Sequence, residues 1–274
     1  MCLHLQVVEG REIIMKCYEI IEKLETLSPP SFAEDWDNIG LLVGRRDKEI
    51  KSIYIAVDAT DEVIEEAIRV GADMLLTHHP LIFHKINRVN TDDFIGKRIY
   101  GLIRADMVCY AMHTNFDVMG MADAAANKMG LIDGEALDVT YDDGVSKQGC
   151  GRVGKLPHRM TLAECTELVK KCFQVPSVRV YGDLNSNVRD AAILPGSGGS
   201  FLKNAIQADA DVMITGDIDH HEAIDALAQG INIIDAGHYG IEKLFIPYMQ
   251  EYLAQNLQGI KLYAAPFQEP FVVV

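Results

Sequence analysis

The chain has 274 residues, of which 49% are hydrophobic and 24% charged, with a formal net charge of −15. This length suits one large or two modest globular domains of ordinary composition. No basic stretch offsets the acidity and no apolar run nears the roughly 20 residues that span a bilayer, so neither nucleic acid nor membrane is an expected partner.

Residues 1–14 lack the basic leader, long apolar region and small-residue cleavage site of a signal peptide, and read as an extension ahead of the folded unit. From Met15, Met-Lys-Cys-Tyr-Glu-Ile-Ile-Glu-Lys-Leu predicts an amphipathic helix with Ile20, Ile21 and Leu24 on one side. Ser52–Val57 reads as a strand. Asp61–Val70 reads as a helix with Thr60 as N-cap and Val63, Ile64, Ala67 and Ile68 as its apolar stripe. After the apolar run 72–76 come a helix over Asp93–Ala105, a strand over Met107–Met112, and a helix over Ala122–Met129 that Gly130 stops. From Asp133 to Lys147 the texture turns acidic and polar, and a new series of strands and helices runs from Gly151 to about Ala228. Alternating strands and helices predict an α/β architecture of two α/β domains. The expected division gives 15–130 with 229–274 to the first domain and inserts 131–228 as the second, because the segment at His238 must return to the site formed by His78 and Asp117.

The densest chemistry lies in Thr77-His78-His79-Pro80-Leu81-Ile82-Phe83. Within a strand, neighbouring side chains point to opposite faces and could not share a ligand. At the strand's end the chain turns, and Pro80 keeps His79 out of the helical region. Both imidazoles can then converge above the carboxyl ends of the strands, where open α/β sheets bind ligands. A polar loop with incidental histidines is the alternative. Two His-carboxylate pairs at matching spacing favour ligation: His113-Thr-Asn-Phe-Asp117 after the strand at Met107, and His238-Tyr-Gly-Ile-Glu242 after Ile231–Asp235. A helix starting near Tyr239 would set His238 and Glu242 one turn apart on one face. Mixed imidazole and carboxylate donors suit Zn, Fe, Mn, Co or Ni, whereas an all-oxygen set would suit Mg or Ca. Four histidines and two carboxylates exceed what one tetrahedral ion needs, and predict two divalent metal ions about 3.5–4 Å apart.

Together with Trp36-Asp37-Asn38-Ile39-Gly40-Leu41-Leu42-Val43-Gly44, Ala56-Val57-Asp58-Ala59-Thr60 and Gly216-Asp217-Ile218-Asp219-His220-His221, these segments resemble the Nif-three-like dinuclear-metal family, often described as GTP cyclohydrolase 1 type 2 homologues. The resemblance runs from about Met15 to the C-terminus. It implies metal ligands at His78, His79, Asp117, His238 and Glu242, with His113 beside the metals. It also implies a two-domain α/β subunit that assembles into a toroidal homohexamer.

Other segments carry weaker signals. Pro195-Gly-Ser-Gly-Gly-Ser200 follows a strand at Ala191–Leu194 and precedes a helical stretch, Phe201–Ala208. It lacks the ending of a P-loop and the full dinucleotide fingerprint, so it reads first as a tight packing turn and second as an anion-binding one. In Asp217-Ile-Asp-His220-His221-Glu222, adjacent helical positions diverge by about 100°. Capping by Asp219 therefore explains that segment better than a second metal cluster, with His221 kept as a candidate substrate or proton-transfer group. Glu34-Asp35-Trp36-Asp37-Asn38 reads either as a loop over the metals, with Asp37 or Asn38 orienting ligands, or as a core anchor at Trp36. Asp58 is a candidate orienting group of the same kind. His84 and His158 read as surface or packing residues. The cysteines (Cys2, Cys17, Cys109, Cys150, Cys165, Cys172) show no Cys-x-x-Cys spacing and read as reduced thiols, in keeping with a cytoplasmic setting.

Two divalent ions would give hydroxide near neutral pH and polarise a carbonyl or phosphoryl oxygen. No Ser-His-Asp or Cys-His nucleophile pattern stands out. The reading is therefore a metal-dependent hydrolase of a small molecule acting through metal-activated water, with His113 and His221 as catalytic candidates. The family resemblance suggests opening of the guanine ring of GTP, and phosphoester hydrolysis fits the same donors. A nucleotide substrate would rely on the metals to offset its charge. Metal handling without turnover is the alternative, followed by an oligomeric regulatory scaffold with structural metals.

Overall fold

The computed structural model describes residues 14–274. Apart from Ile14, the extension expected over 1–14 lies outside the described residues, as does Cys2.

Strand β1 (Met15–Lys16) leads into helix α1 (Cys17–Leu27), which buries Cys17, Ile20, Ile21 and Leu24 as their helical spacing requires. Next come β2 (Gly40–Val43), β3 (Glu49–Ile50), which pairs with β1, and β4 (Ser52–Ala56). Helix α2 (Asp61–Arg69) starts at the expected cap, with the Thr60 side chain accepting from Val63 N. Strand β5 (Met74–Thr77), helix α3 (Phe94–Arg104), strand β6 (Val108–Ala111) and the single turn α4 (Thr114–Phe116) follow. Asp117–Met121 widens into a π-helical turn before α5 (Ala122–Met129), which ends at a left-handed Gly130.

The acidic stretch after α5 forms much of a long hairpin, β7 (Ile132–Asp142) with β8 (Lys147–Thr161). Beyond it lie α6 (Leu162–Phe173), β9 (Arg179–Tyr181), β10 (Asn187–Ser197), α7 (Leu202–Gln207), β11 (Val212–Gly216) and α8 (His220–Ala228). Strand β12 (Asn232–Asp235), helices α9 (His238–Glu242) and α10 (Phe245–Asn256), and strand β13 (Lys261–Ala264) complete the chain.

Two larger sheets organise these elements. The first runs β13-β4-β5-β6-β2, parallel from β13 to β6 with β2 antiparallel at one edge. Its β4, β5 and β6 are buried along their whole length, which is why they read as continuous apolar runs. The second runs β7-β8-β10-β11-β12-β9 and is parallel only through β10, β11 and β12. Strand β12 bonds to β11 and β9, so the strand ahead of His238 lies in the second sheet. The expected division at 228/229 gives this strand to the first domain, whereas its hydrogen bonds join it to the second sheet. An inner strand of either sheet is equally apolar, and pairing alone tells them apart.

The first sheet packs one core, with Ile53, Leu75, Val108 and Phe245, and the second packs one on each face, with Val169, Ile193, Ile214 and Ile241 on the side of α9 and Leu194, Leu202 and Met213 on the other. Helices α9 and α10 join the two sheets: Ile241 packs into the near core of the second, Phe245 into the core of the first, and Leu244 against both. Among the described residues, Cys17, Cys109 and Cys165 are buried free thiols, and Cys150 and Cys172 partly buried ones. No helix among them is long and apolar enough to cross a membrane.

Candidate metal centre

Thr77 ends β5, and the backbone curls at that point. Thr77 Oγ1 donates to His79 O at 2.8 Å, and His79 N donates to Val57 O at 2.9 Å. The two adjacent imidazoles are thereby brought to the same side, with ring centroids 4.8 Å apart. His113 follows β6, and His238 opens α9 just past β12, with Glu242 one turn further along.

The same hydrogen-bond logic governs four rings. His78 Nδ1 bonds to Met112 O at 2.8 Å and His79 Nδ1 to Asp58 Oδ1 at 2.7 Å. His113 Nδ1 bonds to Asp37 Oδ1 at 2.9 Å and His238 Nδ1 to Asp217 Oδ2 at 2.8 Å. A carbonyl or carboxylate oxygen only accepts, so each Nδ1 donates and Nε2 is left as the ligating position. Outer partners of this kind orient histidines that bind metals.

The donors meet on the Nε2 side. His78 Nε2 lies 3.4 Å from Asp117 Oδ1 and 3.6 Å from Glu242 Oε1. Glu242 Oε2 lies 3.0 Å from both His79 Nε2 and His238 Nε2, which are 3.3 Å from each other. Three donor groups result, each with its atoms within 4.8 Å: His79, His238 and Glu242; His78, Asp117 and Glu242; and His78, His79 and His113. With the rings neutral and the proton on Nδ1, His78 Nε2, Asp117 Oδ1 and Glu242 Oε2 are three buried acceptors without a donor. Each such atom costs roughly 1–3 kcal/mol. A metal ion would satisfy them together, so the residues present fit one.

The electrostatics agree. Burial pushes the Asp117 carboxyl up, against the pull of His78. At Glu242 burial pushes the same way, but His78, His238 and His79 hold the carboxylate well below its usual range. Burial lowers His79, yet Asp58 and Glu242 outweigh it and raise the ring to about 10. His238 is likewise lowered by burial and raised to about 9 by Glu242 and Asp217. A metal ion taken up here displaces those protons.

Several supporting residues come from segments whose role the sequence left open. Gly196 has φ +77°, and a Cβ there would lie 2.5 Å from Glu242 Oε1. The Gly-Ser turn is thus a packing turn whose backbone presses on the shared carboxylate, and no spacing in the sequence links the two. A Cβ at Gly216 would lie 2.5 Å from His238 N, so glycine lets α9 begin against the end of β11. Asp217, which the sequence grouped with the capping segment, turns back at φ +56° to hold His238.

Trp36 is 60% exposed, against the core-anchor alternative, with its ring 5.8 Å from Phe83 and 6.0 Å from His113. Its neighbour Asp37 orients the site, accepting from Thr114 N (3.0 Å) and Thr114 Oγ1 (2.6 Å) as well as His113. Asn38 donates to Ile82 O at 2.6 Å. His221 stands exposed in the first turn of α8 with its ring 5.3 Å from His220, outside all three donor groups. Asp219 caps that helix by accepting from Glu222 N at 2.8 Å. His84 and His158 are exposed.

Beside the donors opens a cavity of about 1270 Å³ that His79 and His238 help to line. Phe83, Ile86 and Phe94 form part of its wall, and Pro266 to Phe271 contribute from the C-terminal segment.

Comparison with known proteins matches residues 15–269 to the family Duf34/NIF3 (NGG1p interacting factor 3). The chain is 40% identical over 247 residues to the GTP cyclohydrolase 1 type 2 homolog of Clostridium perfringens, covering 89% of this chain and 94% of that protein. Among solved structures it is similar to the Bacillus cereus protein related to NIF3, at 27% identity and a TM-score of 0.88, covering 95% of this chain and 99% of the other. It is also similar to reduced HcgD from Methanocaldococcus jannaschii, at 35% identity and a TM-score of 0.80, covering 93% and 99%.

Proposed function

Because the chain belongs to the Duf34/NIF3 family, we propose that its clustered donors bind two divalent metal ions and serve a hydrolase acting on a small molecule. The observation that carries this reading is Glu242, common to two three-residue donor groups and placed to bridge them. His79 and His238 would hold one ion with Glu242, and His78 and Asp117 the other. Bound divalent ions supply Lewis acidity and lower the pKa of water.

The chain's own residues would do the rest. Asp58, Asp217 and Met112 O fix three rings in the ligating orientation. His113 belongs to neither group that contains Glu242. Its Nδ1 is anchored to Asp37, leaving Nε2 to accept a proton during attack and return it to the leaving group. His221, exposed on α8, stands outside the three donor groups, and this reading gives it no role. The name of the C. perfringens relative suggests hydrolytic opening of the guanine ring of GTP. Phosphoester hydrolysis makes the same demands on these donors. A homohexameric ring in the cytoplasm, as the sequence resemblance implies, is part of the same proposal.

Metal handling without turnover is the second reading. It is favoured by the partial exposure of the His79 and His238 side chains, 24% and 35%, which gives an ion a way out. Elemental analysis of the purified protein by plasma mass spectrometry tests the metal reading. Close to two ions per chain is the expected result, and no bound metal after incubation with excess Zn, Fe or Mn would overturn it. Turnover of a small-molecule panel by the loaded protein then separates hydrolase from metal handling.

A further inference from the structure

The cavity beside the donors is larger than metal binding requires, and its lining has a definite chemistry. Phe83 (51% exposed), Ile86 (40%), Phe94 (62%) and Phe271 (58%) all line it. Large apolar side chains left exposed around one concave site are the signature of a ligand pocket. The charges on the wall are one-sided. Asp58, Glu62, Glu66, Asp217 and Glu269 line the cavity, with Asp58 and Asp217 bonded to His79 and His238 and Glu66 paired with Arg69, and Arg98 is its only lysine or arginine among the described residues. Arg98 is already engaged, its Nε donating to Asp61 Oδ1 at 2.6 Å and its guanidinium lying 5.1 Å from the centre of the Phe94 ring.

We infer that this cavity takes an apolar small molecule, uncharged or cationic in its body, and rejects a nucleoside triphosphate. The inference rests on the hydrolase reading and gives it a substrate class. If a guanine ring were opened at the donors, the base would sit at His79 and His238 and the triphosphate would run along the cavity. There it would meet Glu62 or Glu269, and the lining arginine, Arg98, is already held by Asp61, which is repulsion in place of recognition. An aromatic or aliphatic body meets Ile82, Phe83, Ile86 and Phe94, and a cationic one is further favoured by the acids.

The test is a fluorescence titration of the metal-loaded full chain with the neutral probe N-phenyl-1-naphthylamine, with GTP as competitor. Saturable binding is expected, unchanged by excess GTP. Ile86→Arg and Phe94→Arg, both at exposed positions, are each expected to weaken it at least tenfold while metal per chain and the thermal melt stay as in the wild type. Displacement of the probe by GTP, or affinity unmoved in both variants, would overturn the inference. So would failure of the wild type to bind the probe together with a smaller particle for Ile86→Arg in light scattering, which would mean that a second copy of the chain covers the cavity. A wild type that binds the probe but never holds metal would defeat the hydrolase reading and leave the cavity's preference standing.

Discussion

The chain carries two adjacent-histidine pairs beside acidic residues, His78–His79 and His220–His221, and the fold treats them differently. His78 and His79 leave a buried strand, and each has its Nδ1 tied to an oxygen, so their Nε2 atoms face Asp117, His238 and Glu242. His220 and His221 stand exposed at the start of a helix whose first turn is satisfied by Asp219, and they contribute to none of the donor groups. The residue types are alike. A histidine becomes a ligand when something outside the site fixes its far nitrogen and burial leaves its near nitrogen unpartnered.

The sharpest way to break this comparison is Glu242→Gln. That side chain serves two donor groups, so the variant is expected to lose nearly all bound metal, while His221→Ala keeps the wild-type stoichiometry. Equal metal in the two variants, by elemental analysis, would erase the distinction. Asp117→Ala removes a donor from one group only, and metal per chain is expected to fall by about half, the ratio that two ions imply. Asp58→Asn leaves every ligating atom in place and withdraws the carboxylate behind His79. Metal affinity, read by competition with a chelator, should drop about 10–100-fold with full stoichiometry restored at high metal. The smallest effect belongs to the other pair's helix: Asp219→Ala should cost about 1 kcal/mol in urea unfolding and leave metal affinity untouched.

Much of the fold was legible because local rules and tertiary demands agree. Thr60 caps α2, Gly130 stops α5, and the His238–Glu242 spacing gives one helical turn. The fully buried strands announced themselves as apolar runs. Other features depend on contacts that spacing does not encode. The sheet that receives β12 is chosen by its neighbours, and Gly196 meets Glu242 only after the two regions dock. The π-helical turn that starts at Asp117 leaves no periodicity distinct from an ordinary helix. Trp36 lies open because its partners, Phe83 and His113, are at the rim of the site and not in a core. Asp37 and Asp58 were recognisable as candidate orienting groups at the sequence level; Asp217 was hidden inside a segment with a simpler explanation.

Helix α9 sits between the two cores, anchored to one by Ile241 and continued into the other by Phe245. It carries Glu242 and His238, which lie far along the chain from His78 and His79. The donor set therefore joins His238 to His79, 159 residues apart, and the entropy of closing that loop must be spent before the contact repays it. On the proposed metal reading, a chain still emerging from the ribosome would hold the first histidines without Glu242 and would grip an ion only as an isolated pair does. On the same reading, tight capture of an ion requires both sheets to have formed and α9 to have docked between them.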